Sequence, residues 1–254
     1  MSDGMSKGAE LGIVAALERE VRGIVRNWRV TKLEGAAGEQ RVYEGGNAVL
    51  LCAGTGITRA HAGAQLLVEK YSPKMLVSMG FAGACSSDPG SQGLRSGAIF
   101  VPGEVIESAT GKKFVTAFGR GKLVTLDKVA GKGLKQCSAA RYGASAVDME
   151  AAGVAAVASG HGLGFVAIKA ISDGAEDDLG FLSGFVTPEG FQTGRFVAHI
   201  AVRPWLWKSV AQLGRNSQLA AKALEEAVRA CTEDWKSYAA RFSSLAAQVE
   251  ERES

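Results

Sequence analysis

Short apolar runs alternate with stretches of helical periodicity along most of the chain. The apolar runs predict buried strands at residues 11–16, 75–79, 98–101, 123–126 and 164–171. Helical spacing predicts helices from residue 18 to about 27, over 58–71, and from about 148 to 160. Because continuous apolar runs are typical of strands buried on both faces, the pattern predicts an α/β fold with a mixed or parallel central sheet flanked by helices.

Residues 30–52 and the C-terminal fifth of the chain depart from this alternation. In residues 30–52, polar and apolar positions alternate between Gly35, Gly38 and a Gly-Gly-Asn corner at 45–47, which predicts a hairpin or meander. We therefore expect a disordered tail at residues 1–9, one α/β domain at 10–202 and a helical extension at 203–254.

An apolar stripe with alternating four- and three-residue steps runs through the C-terminal extension. Its members are Leu224, Val228, Cys231, Trp235, Tyr238, Phe242, Leu245 and Val249. The spacing predicts one long helix packed on its own domain, with a dimerisation helix or a helix for a partner protein as alternatives. Upstream, Trp205 and Trp207 stand between Arg203 and Lys208. Ordinary packing of both tryptophans is favoured, and weak contact with a membrane surface is the alternative.

Composition and charge exclude several classes of protein. Of the 254 residues, 29 are Lys or Arg and 26 are Asp or Glu, and because the two signs are interleaved, nucleic acid is not an expected partner. We expect no membrane span and no signal peptide, since no apolar stretch of sufficient length is free of charge. The four cysteines lie far apart, which favours free thiols in a reducing cytoplasm. The three scattered histidines predict no metal site.

Polar segments flanked by glycine fall where predicted strands end, and ligands bind beyond the carboxyl ends of strands in such sheets. The segments are residues 54–56, 80–83 and 172–174, and four carboxylates are predicted at the same edge: Glu20, Asp148, Glu150 and Asp173. Helix dipoles or turn formation would also account for each of them singly. Turn formation is a weaker explanation for Asp173, because an acid at the end of a buried strand is partly desolvated.

Four ordered blocks, at residues 12–21, 53–57, 77–83 and 147–173, resemble those of the 5′-methylthioadenosine/S-adenosylhomocysteine nucleosidases. These enzymes belong to the purine nucleoside phosphorylase and uridine phosphorylase superfamily, and the resemblance covers roughly residues 11–200. It implies a single α/β domain around a twisted mixed sheet, assembled as a homodimer or larger homo-oligomer. The implied activity is cleavage of the ribosyl N-glycosidic bond of a purine nucleoside.

The resemblance also implies roles for individual residues. Asp173 would protonate purine N7 or share its proton, with Ser172 orienting it, and Glu20 would activate the attacking water. Glu150 would bind the ribose hydroxyls and Met149 would pack against the sugar. Further substrate-binding positions are Asp148, Gly80, Phe81 and Val129, and the loop toward the nucleophile or a phosphate contains Gly54, Thr55, Gly56 and Arg59.

Several positions depart from the nucleosidase pattern. Phe81 replaces a small hydroxyl residue, Asp148 replaces a Glu, and residues 126–129 carry no aromatic to stack on adenine. The segment 102–146 is shorter than its counterpart and is expected to lack a helix. These features resemble the hopanoid-associated phosphorylases, which are thought to remove adenine from adenosylhopane. A lipidic substrate would explain the Trp pair and an apolar 5′ pocket, with Phe81 and Phe185 as lining residues.

We therefore interpret the chain as an enzyme that cleaves a purine nucleoside, without a cofactor and with phosphate open as a co-substrate. Glu20 favours hydrolysis because a carboxylate repels phosphate, whereas Thr55, Thr58 and Arg59 leave phosphorolysis open. The alternative from another class is a non-catalytic nucleoside-binding or storage protein. Such a protein would be expected to lack Asp173 or Glu20, and both are present.

Overall fold

The computed structural model describes residues 9–35, 38–85, 94–187, 190–192, 195 and 204–240. Some predicted features lie outside these residues: most of the tail at 1–9, Arg203, the side chains of Trp205, Trp207 and Lys208, and Phe242, Leu245 and Val249 of the apolar stripe. The tail and the membrane contact of the tryptophans therefore stay predictions.

Strands and helices alternate through the described part of the chain. The strands are β1 (Leu11–Ala15), β2 (Arg29–Gly35), β3 (Gly38–Gly45), β4 (Ala48–Cys52), β5 (Met75–Ala84), β6 (Ile99–Phe100), β7 (Glu104–Glu107), β8 (Lys113–Val115), β9 (Lys122–Thr125), β10 (Ala146–Asp148), β11 (Gly164–Asp173), β12 (Val186–Thr187) and β13 (Gly190–Phe191). The α-helices are α1 (Glu18–Val21), α2 (Ile57–Tyr71), α3 (Lys132–Tyr142), α4 (Ala151–Gly160) and α5 (Pro204–Glu233), with short 3₁₀ helices at Val25–Asn27 and Gly180–Phe185.

A mixed sheet of eleven strands forms the centre of the molecule. Strand β1 lies between β4 and β5 and is parallel to both. The long strand β5 pairs in parallel with β11, and its last residues also pair with β10 in the antiparallel direction. Beyond β10 the sheet continues through β9 and β7 to β8, and β2, β3 and β4 form an antiparallel meander at the other end. The predicted mixed sheet and the predicted meander are both confirmed.

Two apolar cores cover the two faces of the sheet, because successive side chains of a strand point to opposite faces. Val14 of β1 belongs to the core that contains α2 and α4, whereas Ile13 and Ala15 belong to the core that contains α5. The C-terminal stripe lies in this second core, where Leu224 and Val228 are buried. Where its side chains are described, from residue 211 onward, the C-terminal extension therefore packs on its own chain, which was the favoured of the predicted arrangements. Helix α5 itself ends at Glu233.

Helix α3 contradicts the prediction that residues 102–146 lack a helix. It begins after Gly131 and ends at Gly143, which has a φ of 65° in the left-handed region where glycine ends helices without a steric penalty. The two buried residues of α3 are Lys135 and Ser138. Leu134, Ala139 and Tyr142 of α3 are partly buried against an apolar cluster. No continuous apolar stripe marks this helix in the sequence, because the two residues that it buries most deeply are polar.

Three predicted boundaries also differ from the structure. Helix α1 is a single turn that ends at Val21, so the predicted helix to residue 27 is replaced by a turn and a 3₁₀ helix. Asp148 is the last residue of β10, whereas the helix that it was expected to open begins at Ala151. Residues 80–83 continue β5 instead of following its end, because β11 pairs beside them.

The described residues contain no helix that is long and apolar enough to cross a membrane. Within the same part of the chain, no group of three or more His, Cys, Asp or Glu side chains is arranged to hold a metal ion. All four cysteines are free thiols in the structure.

Candidate active site

A cavity of about 490 Å³ opens at the carboxyl ends of β1, β5, β10 and β11. Nine residues predicted for the site line it: Glu20, Thr55, Phe81, Val129, Asp148, Met149, Glu150, Ser172 and Asp173. The structure therefore brings together all four of the carboxylates that the sequence placed at this edge. Ser172 and Asp173 come from the end of β11, and Asp148 from the end of β10, so the sheet itself positions them.

The Asp173 carboxyl group is buried and has a partner on each oxygen. Ser172 Oγ donates a hydrogen bond of 2.6 Å to Oδ1, and the ammonium of Lys135 forms an ion pair with Oδ2. Burial raises the pKa of Asp173, and it outweighs the opposing effects of the Lys135 charge and of the Ser172 hydrogen bond. Asp173 therefore holds a proton to a higher pH than an exposed aspartate does, which suits a group that protonates a leaving base.

Glu20 is also buried, and it lies in the single turn of α1 directly after β1. Its Oε2 accepts a hydrogen bond of 3.3 Å from the backbone N–H of Leu17. Burial raises the pKa of Glu20, against the opposing effects of the Leu17 hydrogen bond and the charge of Lys169. A Cβ at Gly80 would lie 3.2 Å from Oε2, so the absence of a side chain at Gly80 leaves room for this carboxylate.

Glu150 precedes α4, and its Oε1 accepts a hydrogen bond of 2.9 Å from the backbone N–H of Gly56. Burial and the neighbouring Asp148 raise the pKa of Glu150 to about 7, although the charge of Lys169 opposes them. Gly56 has a φ of 104°, a conformation that favours glycine. The Gly56 amide, which was predicted to approach a nucleophile or phosphate, is bonded to Glu150 instead.

Asp148 lies at the cavity wall, but protein donors engage both of its oxygens. Thr125 Oγ1 donates to Oδ1 at 2.6 Å, and the Ala151 backbone N–H donates to Oδ2 at 2.8 Å. The ammonium of Lys169 also lies 2.8 Å from Oδ2, and both charged side chains are fully buried. In this arrangement Asp148 ties β10 to the start of α4 and neutralises Lys169.

Two buried lysines of the site escaped the sequence analysis. Lys169 donates to Ser78 Oγ at 3.0 Å, and it lowers the pKa values of both Glu20 and Glu150 through its charge. The sequence feature that could have revealed Lys169 is its position, since it is a cation in the middle of the apolar run at 164–171. Lys135 gave no comparable signal, because it lies on a helix without an apolar stripe.

Some of the predicted loop residues do not reach the cavity. Among the described residues, Gly54, Gly56 and Arg59 are not part of its wall, whereas Thr55 is. The Arg59 side chain lies against Gly54, since a Cβ there would be 3.0 Å from both Cδ and Nη1 of the arginine. Phe185 is buried but is also absent from the wall, in contrast to Phe81.

One side of the cavity is apolar and comes from late parts of the chain. Leu179 and Leu182 contribute from the segment after β11, and Leu213, Gly214 and Ser217 contribute from α5. The C-terminal helix therefore serves two purposes, since it covers the sheet and also forms part of the wall of the site.

Comparison with known proteins identifies the superfamily to which the chain belongs. A sequence model of the phosphorylase superfamily matches residues 119–187. The 5′-methylthioadenosine/S-adenosylhomocysteine nucleosidase of Actinobacillus succinogenes is 30% identical over 212 residues, an alignment that covers 67% of this chain and 88% of the relative. The chain belongs to the phosphorylase superfamily. It is an enzyme of the nucleosidase and nucleoside phosphorylase class, as predicted, and cleavage of a nucleoside N-glycosidic bond is the corresponding activity.

Solved structures share the fold of this superfamily member. The nucleosidase of Helicobacter pylori with butyl-thio-DADMe-Immucillin-A superimposes with a TM-score of 0.61 at 16% identity, covering 87% of this chain and 98% of that one. Futalosine hydrolase of Helicobacter pylori strain 26695 gives a TM-score of 0.60 at 16% identity, covering 85% of this chain and 96% of that one. The predicted fold class is thereby confirmed.

Proposed function

We propose that this enzyme hydrolyses the N-glycosidic bond of a purine nucleoside with an apolar 5′ substituent. The observation that carries the proposal is that two buried carboxyl groups, Asp173 and Glu20, line one cavity while each keeps its own partners. Two separately placed carboxyl groups are what a glycosidic hydrolysis with one acid and one base requires.

Asp173 supplies the acid. A purine leaves poorly as an anion, so a proton must reach N7 while the bond to C1′ breaks and its electron pair passes to the base. The raised pKa of Asp173 keeps a protonated fraction available for this transfer. Ser172 holds Oδ1 in place through its 2.6 Å hydrogen bond.

Glu20 supplies the base. It takes one proton from water as the water oxygen bonds to C1′, so the products are the neutral purine and a free ribose derivative. Burial raises the pKa of Glu20 and strengthens it as a base, whereas the nearby Lys169 charge favours its ionised form. Glu150 binds the ribose hydroxyls, and Met149 packs beside the sugar.

Two contacts support hydrolysis over phosphorolysis. The Gly56 amide is bonded to Glu150, and Arg59 lies against Gly54, so neither of these expected phosphate ligands points into the cavity. A phosphate would also approach the carboxylate of Glu20, which is unfavourable for two groups of like charge.

The apolar side of the cavity supports a substrate with an apolar 5′ group. Leu179, Leu182 and Leu213 present hydrocarbon surface, and each buried CH₂ of a substituent contributes about 0.8 kcal/mol. The second candidate is removal of adenine from adenosylhopane, since a wall that includes α5 would suit a lipidic group. A homo-oligomeric assembly and a cytoplasmic location are further parts of the proposal.

The test is release of free base from methylthioadenosine, adenosine and inosine, each with and without phosphate. We expect adenine release from methylthioadenosine at the same rate under both conditions. Release only with phosphate would replace hydrolysis by phosphorolysis. No release from any of the three, followed by release from a nucleoside with a long alkyl 5′ group, would favour the lipidic candidate. No release from any nucleoside would favour a binding protein.

A further inference from the structure

Lys135 is a fully buried cation whose hydrogen-bonding capacity is used up by one segment of the chain. Its ammonium pairs with Asp173 Oδ2, and it donates to the backbone carbonyl oxygens of Gly174 at 2.7 Å and Asp177 at 3.0 Å. An ammonium group has three N–H donors, so these three acceptors saturate it. Lys135 therefore has no donor left for a substrate, and its effect on the site must pass through Asp173.

The segment that follows Asp173 is bound to α3, the helix that contains Lys135. Gly174 N–H donates to Asp177 Oδ2 at 2.8 Å, which closes the turn whose carbonyl groups face Lys135. Asp178 Oδ1 accepts from the Lys132 backbone N–H at 3.3 Å, at the beginning of α3. Helix α3 thus fixes residues 173–178 from one side, and its buried lysine occupies the centre of the contact.

Resting on the proposed role of Asp173 as the acid, we propose that Lys135 is a positioning residue that fixes the Asp173 carboxyl group. The ion pair occupies Oδ2, which leaves Oδ1 beside Ser172 as the oxygen that carries the transferable proton. Lys135 also sets the pH range over which Asp173 is protonated, because it is the counter-ion of a desolvated carboxylate.

The groups around Asp173 allow the direction of this effect to be worked out. Lys135 faces it from α3, Ser172 from β11, Cys85 from the residue after β5 and Asp177 from the turn after β11. Burial raises the pKa of Cys85 to about 12, so this thiol is neutral. Burial and Asp177 both raise the pKa of Asp173, and Lys135 is the cation that opposes them. Removing the ammonium must therefore raise the pKa of Asp173 further.

The test compares Lys135→Met with Lys132→Met in the full chain. Lys132 is a matched control because it lies on the same helix and pairs with a carboxylate, Glu176, but is solvent-exposed. The first readout is the ¹³C chemical shift of the Asp173 carboxyl carbon during a pH titration without substrate, assigned with Asp173→Asn. The second is the pH profile of kcat/KM for base release.

We expect Lys135→Met to raise the titration midpoint of Asp173 by roughly one to three units, which is the usual effect of one adjacent opposite charge. The high-pH limb of kcat/KM should move upward with it, and turnover at neutral pH should fall because the carboxyl group is less well oriented. Lys132→Met should change neither readout. If the Met variant does not fold, Lys135→Gln replaces it, because glutamine can still donate to the turn carbonyl groups. The same upward shift of the Asp173 titration midpoint is expected.

In the wild-type protein the ¹⁵Nζ resonance of Lys135 should shift as Asp173 titrates, which tests the pair without any substitution. An unchanged ¹³C midpoint and an unchanged pH limb in a folded Lys135 variant would overturn the inference, and so would a ¹⁵Nζ resonance insensitive to that titration. A different result would contradict the proposed function: near-normal base release by the Asp173→Asn variant. The ¹³C and ¹⁵N titrations remain decisive for Lys135 in that case, because they need no turnover.

Discussion

Breaking the buried ion pair between Lys169 and Asp148 should destabilise the fold strongly. The two charges lie 2.8 Å apart, and both side chains are fully buried. Lys169→Met leaves the Asp148 carboxylate with its two hydrogen-bond donors but without a counter-ion. Removing one partner of such a pair costs about 3–5 kcal/mol in the free energy of unfolding. For a domain of this size that corresponds to a fall of roughly 6–20 °C in Tm.

The surface pair between Lys32 and Glu39 provides a control with the same geometry. Its N–O distance is also 2.8 Å, but its side chains are 64% and 52% exposed. Lys32→Met should cost at most about 1 kcal/mol, because water already screens this pair. The N–O distance and the substitution are the same at both sites, so a difference in cost reflects the buried setting of Lys169, including its hydrogen bond to Ser78.

The assay is urea unfolding followed by circular dichroism, with the double variant Asp148→Asn/Lys169→Met completing a cycle. We expect each single substitution to be costly and the double variant to be much less unstable than the sum of the two, because the Asp148 charge that Lys169 compensates is removed as well. Additive effects, or a Lys169→Met cost no larger than that of Lys32→Met, would refute the reasoning that this pair is both buried and coupled.

Three further outcomes are expected. Asp173→Asn should lower the turnover of base release by about 10²–10⁴-fold with unchanged circular dichroism, and near-normal turnover would remove Asp173 from the role of acid. In wild type, each added CH₂ of a 5′-alkylthio substituent should raise kcat/KM about fourfold. Leu213→Asn should flatten this series, and an unchanged slope would place the substituent elsewhere. Burial raises the pKa of Glu150 from 4.5 to about 7, so the folded state holds its proton longer than the unfolded chain does. The free energy of unfolding should therefore fall as the pH rises from about 4.5 to about 7, and Glu150→Gln should remove the part of this fall that Glu150 causes.

The position of acidic residues at the ends of apolar runs explains why much of the site could be predicted. Asp173 ends an apolar run, and Glu20 follows another, so periodicity alone placed both at one edge of a sheet. Their burial and the cavity that they share agree with that placement. The roles of the nine lining residues came from a resemblance and stay proposals.

The partners of these residues could not be predicted in the same way. Gly56 was expected to face a nucleophile, but its amide is bonded to Glu150, which is 94 residues away. Asp148 was expected to face a substrate, but Thr125, Ala151 and Lys169 engage it. Which donor reaches which acceptor depends on how β10, α4 and β11 pack. The local spacing of residues in the sequence carries no information on contacts between elements that lie so far apart along the chain.

The amino-acid sequence by itself determined the alternation of strands and helices, the apolar stripe of the C-terminal helix and the acids at the strand ends. Short-range periodicity is sufficient for these features, because it records which face of an element is buried. Only the tertiary structure decided that α3 exists and that Lys135 reaches Asp173. Because α3 buries a lysine, its sequence carries no continuous apolar stripe. The role of that lysine is recognised only in the folded chain, where Asp173 lies against it.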